Sequence, residues 1–426
     1  MKKLFIPILF VLFIGSSQAQ DTLTVLQYNL LQYGNDFGGC NSTNNKVSTK
    51  DGYIKTIVNY IKPDIFTVNE MVASEAMMEH LLGVLNTSWT NRYKRPNFVK
   101  ENAEYLANVL YYNSKKLTFQ KQYIAQSYVR DINVFKLYYN SPNLVNGDTA
   151  FVFCIVAHLK AGSGTDNSNK RKVMATNTMN FIKGFNENAN YLLMGDFNLY
   201  SEIEPAWLQF TMNSNSNISF NDPVNQSGDW HNNYAFRDYH TQSTHSQDNG
   251  CASWGGMDDR FDFVLISNDI KNGSKHIKYI DGSYWAVGQD GNHFNKGLLD
   301  APTNVSVPSN VLNALGKNSD HLPVTLKLSV AQPVGIDEFQ YSLFTDVSFV
   351  NPVSKNLRLN LSASSPGSAL LSIYDLTGKV MIQKILSLTK GGSMYSVDLS
   401  NLNPGLYIIR LTDKNGVSVS RKMMKQ

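Results

Sequence analysis

The stretch YLLMGDFN, residues 191–198, runs four apolar positions into a glycine, an acid, a phenylalanine and an amide. So short an apolar run reads as a strand buried on both faces, and its far end carries groups able to do chemistry. Outward from it the same form recurs. TLTVLQYNL (22–30), DIFTVNE (64–70), NVLYY (108–112), FVFCIVAHL (151–159), FDFVLIS (261–267) and LPVTLKLSV (322–330) all read as buried strands. Between them, GYIKTIVNYIKP (52–63) sets Ile54, Ile57, Val58 and Ile61 at helical spacing before Pro63, and NKRKVMATNTMNFIKGF (169–185) predicts a helix ending near Gly184. Strands alternating with helices over roughly 300 residues make an α/β domain near the upper limit for one core.

Two stretches interrupt that rhythm. Residues 209–256 are rich in Asn, Ser, Asp, Gly and His, with Trp230, Tyr234, Phe236 and Tyr239 embedded, and residues 283–318 carry Trp285, His293 and Phe294 among polar and glycine positions. Both read as long irregular segments of the kind that carry function. After Pro333 the texture changes to short alternating runs, LRLNL, ALLSIYDL, MYSVDL and LYIIRL, which predict a small all-β sandwich of about 90 residues. AQPVGIDEF reads as the linker to it. At the other end, Lys2 and Lys3, the apolar run Leu4–Ile14 and the small polar residues up to Ala19 form a secretory signal peptide, cut after Ala19. The expected domains are therefore 1–19, 20–333 and 334–426.

Composition narrows the class. With 42% of 426 residues hydrophobic, disorder throughout is excluded, and no apolar run reaches the length of a membrane span. The net charge of +4 includes two lysines of the signal and an excess of ten basic over six acidic residues after Val334, so the region between is near −2. That balance gives no overall electrostatic footprint for nucleic acid; the basic residues best placed to make a local one are Arg130, Lys160, Lys170, Arg171 and Lys172. Of three cysteines, Cys154 reads as core, and Cys40 and Cys251 sit in polar loops of an exported chain, where one disulfide between them is expected.

Asn29, Glu70, His158, Asp196 with Asn198, and Asp320 with His321 each fall at or beside the end of a separate predicted strand, where layered α/β domains assemble their sites. They supply hard oxygen ligands for Mg2+, Mn2+ or Ca2+ and two histidines for proton transfer. Singly, each has a plainer reading: Asn29 closes a turn, Glu70 caps the helix MVASEAMMEHL, His158 is a core histidine. Asp262, between Phe261 and Phe263 in an apolar strand, requires a cationic or hydrogen-bonding partner.

Together, QYNL, VNE (68–70), HLKAG (158–162), LLMGDFN (192–198), DRFDFVL (259–265) and SDHLPV (319–324) closely resemble the endonuclease/exonuclease/phosphatase superfamily. The resemblance implies a deoxyribonuclease I-like four-layer α/β sandwich, two packed mixed sheets flanked by helices. It implies a divalent cation, Mg2+ ahead of Mn2+ or Ca2+, at Asn29, Glu70 and Asp320, with Glu70 the principal ligand. Asp196 and Asn198 match the pair that orients water and touches the scissile phosphate, Asp262 the acid that holds the catalytic His321, His158 the histidine at the phosphate, and Arg130 a phosphate-contacting arginine. The tail, from NPVSKNLRLNL through VDLSNLNPGLYIIRL to RKMMKQ, resembles the type IX secretion sorting domain, an immunoglobulin-like sandwich that engages outer-membrane machinery. The expected protein is a secreted or cell-surface, monomeric, metal-dependent endonuclease acting on extracellular nucleic acid. A sphingomyelinase-like or other phosphodiesterase, a phosphatase, and a non-catalytic binding protein are the alternatives.

Overall fold

The computed structural model describes residues 20–141, 149–185, 189–212, 218–331, 344–363, 365–413 and 418–426. The segment read as a signal peptide, and the linker beyond Ala331, lie outside them. The chain separates into two compact units, Met1–Pro333 and Val334–Gln426.

In chain order the first unit reads β1 (Gln20–Tyr33), α1 (Val47–Ile61), β2 (Ile65–Val72), α2 (Glu75–Leu85), β3 (Tyr93–Lys94), β4 (Leu106–Asn113), β5 (Leu117–Gln126), β6 (Ile132–Tyr139), β7 (Phe151–His158), α3 (Thr165–Lys183), β8 (Asn190–Asp196), α4 (Pro205–Thr211), β9 (Phe220–Asn221), β10 (Asp262–Ser267), α5 (Asn268–Asn272), β11 (Ile277–Tyr279), β12 (Trp285–Ala286), α6 (Ser309–Asn318) and β13 (Val324–Ala331). One sheet has the order β11-β13-β1-β2-β4-β3, with β12 also on β13, and the other β5-β6-β7-β8-β10-β9. Both are mixed: β1 and β2 are parallel while β1 and β13 are antiparallel, and β7 and β8 are parallel while β8 and β10 are antiparallel.

Why these strands stack follows from alternation. On β1, Leu23 and Val25 join Val152, Cys154, Leu192 and Val264 of the other sheet in a core between the sheets. The intervening Leu26, Tyr28 and Leu30 face the other way, onto Ile54 and Ile57 of α1, Leu81 of α2 and Leu315 of α6. On the second sheet, Phe153, Ile155, Leu193 and Phe263 turn outward onto Met174 and Met179 of α3 and Trp207 of α4. The result is helix, sheet, sheet, helix: the four-layer sandwich that the resemblance implies. Cys154 is fully buried in the seam.

Several elements correct the sequence reading. Strands β5 and β6 were not expected; β5 is an edge strand whose mixture of polar and apolar residues hides its period. The segment 283–318 is not wholly irregular, since it pairs β12 with β13 and forms the ten-residue α6, whose stripe of Val311, Leu312, Ala314 and Leu315 is diluted by Ser, Asn, Gly and Lys. Nor is Glu70 a helix cap: β2 continues to Val72 and α2 begins at Glu75. Arg171 is no surface cation; it is buried, held by Glu204 at 2.8 Å, and donates to the carbonyls of Lys160 and Gly162. In the 209–256 segment Trp230 is fully buried between Trp207 and Phe263, with the Arg260 guanidinium, itself paired in bidentate fashion to Asp222, beside it.

His240 closes that segment against the core. Its Nε2 meets the Trp230 carbonyl at 2.8 Å, and burial first, then Arg260 and His231, push it down to about 4. A histidine whose folded value is depressed leaves the unfolded chain to bind the extra proton, so stability is lost as pH falls from its unfolded value toward about 4, by roughly 3 kcal/mol in all. Urea midpoints taken from pH 7 to pH 4 are expected to fall over that window, and less steeply in His240→Gln; an unchanged slope rules the assignment out.

The second unit consists of β14 (Phe344–Phe349), β15 (Asn356–Ala363), β16 (Gly367–Tyr374), β17 (Val380–Leu388), β18 (Gly391–Asp398), β19 (Gly405–Asp413) and β20 (Ser418–Lys425), in sheets β14-β15-β18 and β17-β16-β19-β20. The pairings between these strands are antiparallel, and Val353 forms an isolated parallel bridge with Lys425. Leu357, Leu359 and Leu361 of one sheet and Leu371, Ile373, Ile409 and Leu411 of the other are buried in a common core, the alternation expected of a sandwich. The basic end is not a free tail, because Arg421–Lys425 belong to β20 and pair with β19.

Candidate active site

Followed along the seam, the inward-facing positions change from apolar to polar at one end. On β1 the series Leu23, Val25 continues as Gln27, Asn29; on β2 Ile65 continues as Thr67, Asn69; on β7 Val152, Cys154, Val156 ends at His158; on β8 Leu192, Met194 ends at Asp196. Register sets the ends level: Asn29 lies opposite Asn69, His158 opposite Asp196, and Asp196 opposite Asp262. The two sheets thus open onto a polar cleft of about 330 Å3.

Two irregularities aim further groups into it. Between β1 and β2 the register slips after Asn29, and Leu31, Gln32 and Glu70 take positive φ of 46°, 50° and 57°. By strict alternation Glu70 would face away from its seam-facing neighbour Asn69. The bulge turns it back, so that Oε1 accepts from Asn29 Nδ2 at 3.1 Å and Oε2 from the Gln32 N–H at 3.2 Å. Such backbone costs about 1–3 kcal/mol per residue, which the fold spends where the chemistry sits. Asn198, at φ 50°, donates its N–H to Asp196 Oδ1 at 3.0 Å in the turn after β8.

Glu70, Arg130, His158, Asp196, Asn198, Asp320 and His321 all line this cleft, and Asn29 and Asp262 stand behind them. His321 Nδ1 donates to Asp262 Oδ2 at 2.6 Å, and the Thr241 hydroxyl donates to the same oxygen at 2.8 Å. Asn29 Nδ2 bridges Glu70 and Asp196, the latter at 3.0 Å. His158 Nε2 lies 3.4 Å from Asp196 Oδ2 and 3.8 Å from Glu70 Oε1. Arg130 donates to the Leu159 carbonyl at 2.7 Å with its side chain on the cleft wall.

Sequence reasoning missed three residues. Gln242 reaches across so that Nε2 lies 2.7 Å from His321 Nε2 and 3.1 Å from Asp320 Oδ2. The Ser253 N–H donates to Asp320 Oδ2 at 2.9 Å. Asn69 Oδ1 accepts from Gln27 Nε2 and from the Asp196 N–H, tying the two sheets together. Asn69 had a signal, its place on the inward face two residues from Thr67; the other two sit in the polar 209–256 segment and had none.

The electrostatics separate the two histidines. At His321 burial opposes charge, yet the carboxylates of Asp262, Asp196 and Asp320 outweigh it and hold the ring well above its ordinary range. At His158 burial, then Arg130, His321 and Lys160, press it well below, so it is a neutral imidazole. Burial pushes Asp196 up to about 7, with Asp262 and Glu70 adding to the shift and His321 and Asn29 opposing it. Asp196 and His321 lie 3.8 Å apart, so the charge of each shifts the other.

The donor chemistry suits a divalent cation. A carboxylate oxygen of Glu70, one of Asp196 and a ring nitrogen of His158 lie within 4.8 Å of one another. Hard oxygens with one imidazole fit Mg2+ or Mn2+, and a cation would offset the negative charge that burial, and after it Asp262 and Glu70, make costly at Asp196. Within that group Glu70 is joined by His158 and Asp196, while Asp320 is engaged by Gln242 and Ser253, and Asn29 acts as a donor to Glu70.

The second unit is placed by its sequence and strands together. Residues 349–426 match the secretion system C-terminal sorting domain. A sorting domain at this end indicates export to the cell surface or beyond. No sequence among curated proteins matches the chain. Solved structures similar to it include an endonuclease/exonuclease/phosphatase family protein from Bacteroides thetaiotaomicron (14% identity, 74% of this chain and 97% of that one, TM-score 0.44). Another is the human nocturnin catalytic domain with bound sulfate (14%, 73% and 97%, 0.43). A third is D. rerio TDP2 complexed with single strand DNA product (12%, 72% and 98%, 0.45). Among the described residues no helix is long and apolar enough to cross a membrane.

Proposed function

We propose that the first unit is a metal-dependent phosphodiesterase, an endonuclease for extracellular nucleic acid, delivered by a signal peptide and the sorting domain and working as a monomer. The observation that carries this reading is the buried His321 held by Asp262 at 2.6 Å, with Asp196 3.8 Å from its other nitrogen and Glu70 across the same cleft. An acid locked onto a histidine at the floor of a cleft lined by further carboxylates is an arrangement that suits hydrolysis. A divalent cation held by Glu70 with its neighbours would offset the charge of a phosphodiester and of its attacking water. With Nδ1 committed to Asp262, His321 exchanges protons only at Nε2, which faces Asp196. Neutral His158 and the Asn198 amide are the groups set to donate to developing phosphate charge. Arg130 and Lys160, close enough for burial and mutual repulsion to depress the Lys160 ammonium, give the cleft a cationic side that suits a polyanion.

The test is hydrolysis of plasmid DNA, RNA, sphingomyelin and an inositol phosphate in parallel, each with Mg2+, Mn2+ or Ca2+ and with EDTA. Plasmid nicking that needs the cation and disappears with EDTA is expected. Cleavage of lipid or inositol phosphate alone would keep the chemistry and overturn the substrate, and no turnover by a folded, cation-binding chain would favour a binding protein.

A further inference from the structure

The disulfide between Cys40 and Cys251 joins residues 211 apart, and both cysteines line the catalytic cleft. It connects two loops, one following β1 and the other in the 209–256 segment, with few apolar groups to hold them: Phe37 on the first is 57% exposed and Trp254 on the second 63%. Apart from the disulfide, the contacts between them are slight. Asn44 Nδ2 donates to the Asn249 carbonyl at 3.1 Å, and the backbones pass so closely that a Cβ on Gly39 would lie 1.9 Å from the Gly250 oxygen.

What each loop does next to the site is specific. The first is anchored through Asn45, which donates to the carbonyls of Leu31 and Gln32, and through the buried Lys50, which donates to Leu30, Leu31 and Asn45 Oδ1. It thereby fixes the bulge whose Gln32 N–H holds Glu70. The second presents the Ser253 N–H to Asp320, with Ser243 Oγ holding the Ser253 carbonyl at 2.6 Å. One carboxylate of the cleft is thus held by the strand bulge on which the first loop is anchored, the other by a backbone donor of the second loop, and the disulfide joins the two loops. Partners that orient ligands from behind set metal affinity nearly as strongly as the ligands do.

We propose that the Cys40–Cys251 disulfide is a positioning element of the cation site, so that the site reaches full affinity only in the oxidised chain. This rests on the reading of Glu70 as a cation ligand, with Asp320 a carboxylate lining the same cleft. Closing the bond consumes two thiols and one disulfide, such as oxidised glutathione, and returns two molecules of reduced glutathione, to which the thiol hydrogens pass. Cytosolic thiols stay reduced, and the sorting domain marks the chain for an oxidising destination. A nuclease assembled this way is held short of its cation while it shares a compartment with the cell's own nucleic acid.

The experiment is calorimetric titration of Mn2+ into the full chain without substrate, in three states: oxidised, reduced with the reductant removed anaerobically, and reduced then reoxidised with glutathione disulfide. Cys154 is buried and takes no part. Reduction is expected to weaken Mn2+ binding about 10- to 100-fold and reoxidation to restore it. The Cys40→Ala, Cys251→Ala pair is expected to bind weakly in every state, without recovery; measured in sucrose, which favours the compact fold, it separates this effect from unfolding. Equal affinity in oxidised and reduced chains overturns the proposal and leaves a stabilising crosslink. Absence of binding in all states overturns the cation reading beneath it.

Discussion

His321→Ala is expected to lower phosphodiester turnover by about 100- to 10,000-fold, the usual worth of a positioned acid or base. The same substitution leaves Asp262 buried with Thr241 as its remaining side-chain donor, and an uncompensated buried carboxylate costs about 3–5 kcal/mol. Adding Asp262→Asn removes the charge, and the double variant is expected to regain much of the stability while staying inactive. Turnover and urea midpoints of the single and double variants decide the matter. A His321→Ala chain that cleaves at the parent rate would remove this histidine from the chemistry.

Glu70→Gln comes second in size. It keeps the shape, and its amide oxygen can still accept from Gln32, but it takes one of the charges that crowd Asp196 from the floor of the cleft. Stabilising the charge on a reacting phosphate through a cation is worth several kcal/mol, so turnover is expected to fall about 1,000-fold and to recover partly at high Mn2+. With that negative neighbour gone, Asp196 should titrate below its present value near 7. Folding should change little or improve. Parent-like cation affinity in Glu70→Gln would shift the ligand role to other residues of the cleft.

The residues that build the seam were legible because buried strands leave an unbroken apolar signal. β7 and β8 stand out as FVFCIVAHL and YLLMGD, and the acid or histidine ending each is visible at once. Even the need of Asp262 for a partner was legible, since a carboxylate between two phenylalanines cannot stand alone, while His321 as that partner came from the resemblance. Gln242 and the Ser253 N–H were not. They come from polar, irregular chain whose course is set by long-range hydrogen bonds, the buried Arg260–Asp222 pair and a disulfide spanning 211 residues. The direction of Glu70 was hidden for another reason. Alternation assigns it to the wrong face, and only the slipped register beside Asn29 brings it back, a property of the pair of strands that neither strand encodes by itself.

The facing sheets also divide the machinery between them. Asn29 and Glu70 ride on one sheet, and His158, Asp196 and Asp262 on the other, with Met194, Val152 and Leu23 as the filling between. Distances across the cleft are therefore set by the thickness of a hydrocarbon layer, and one methylene added or removed there alters the spacing of groups it never touches. If the proposed activity holds, residues with no chemistry of their own would become a tuning screw for its rate, slowing or quickening it without altering any group of the cleft.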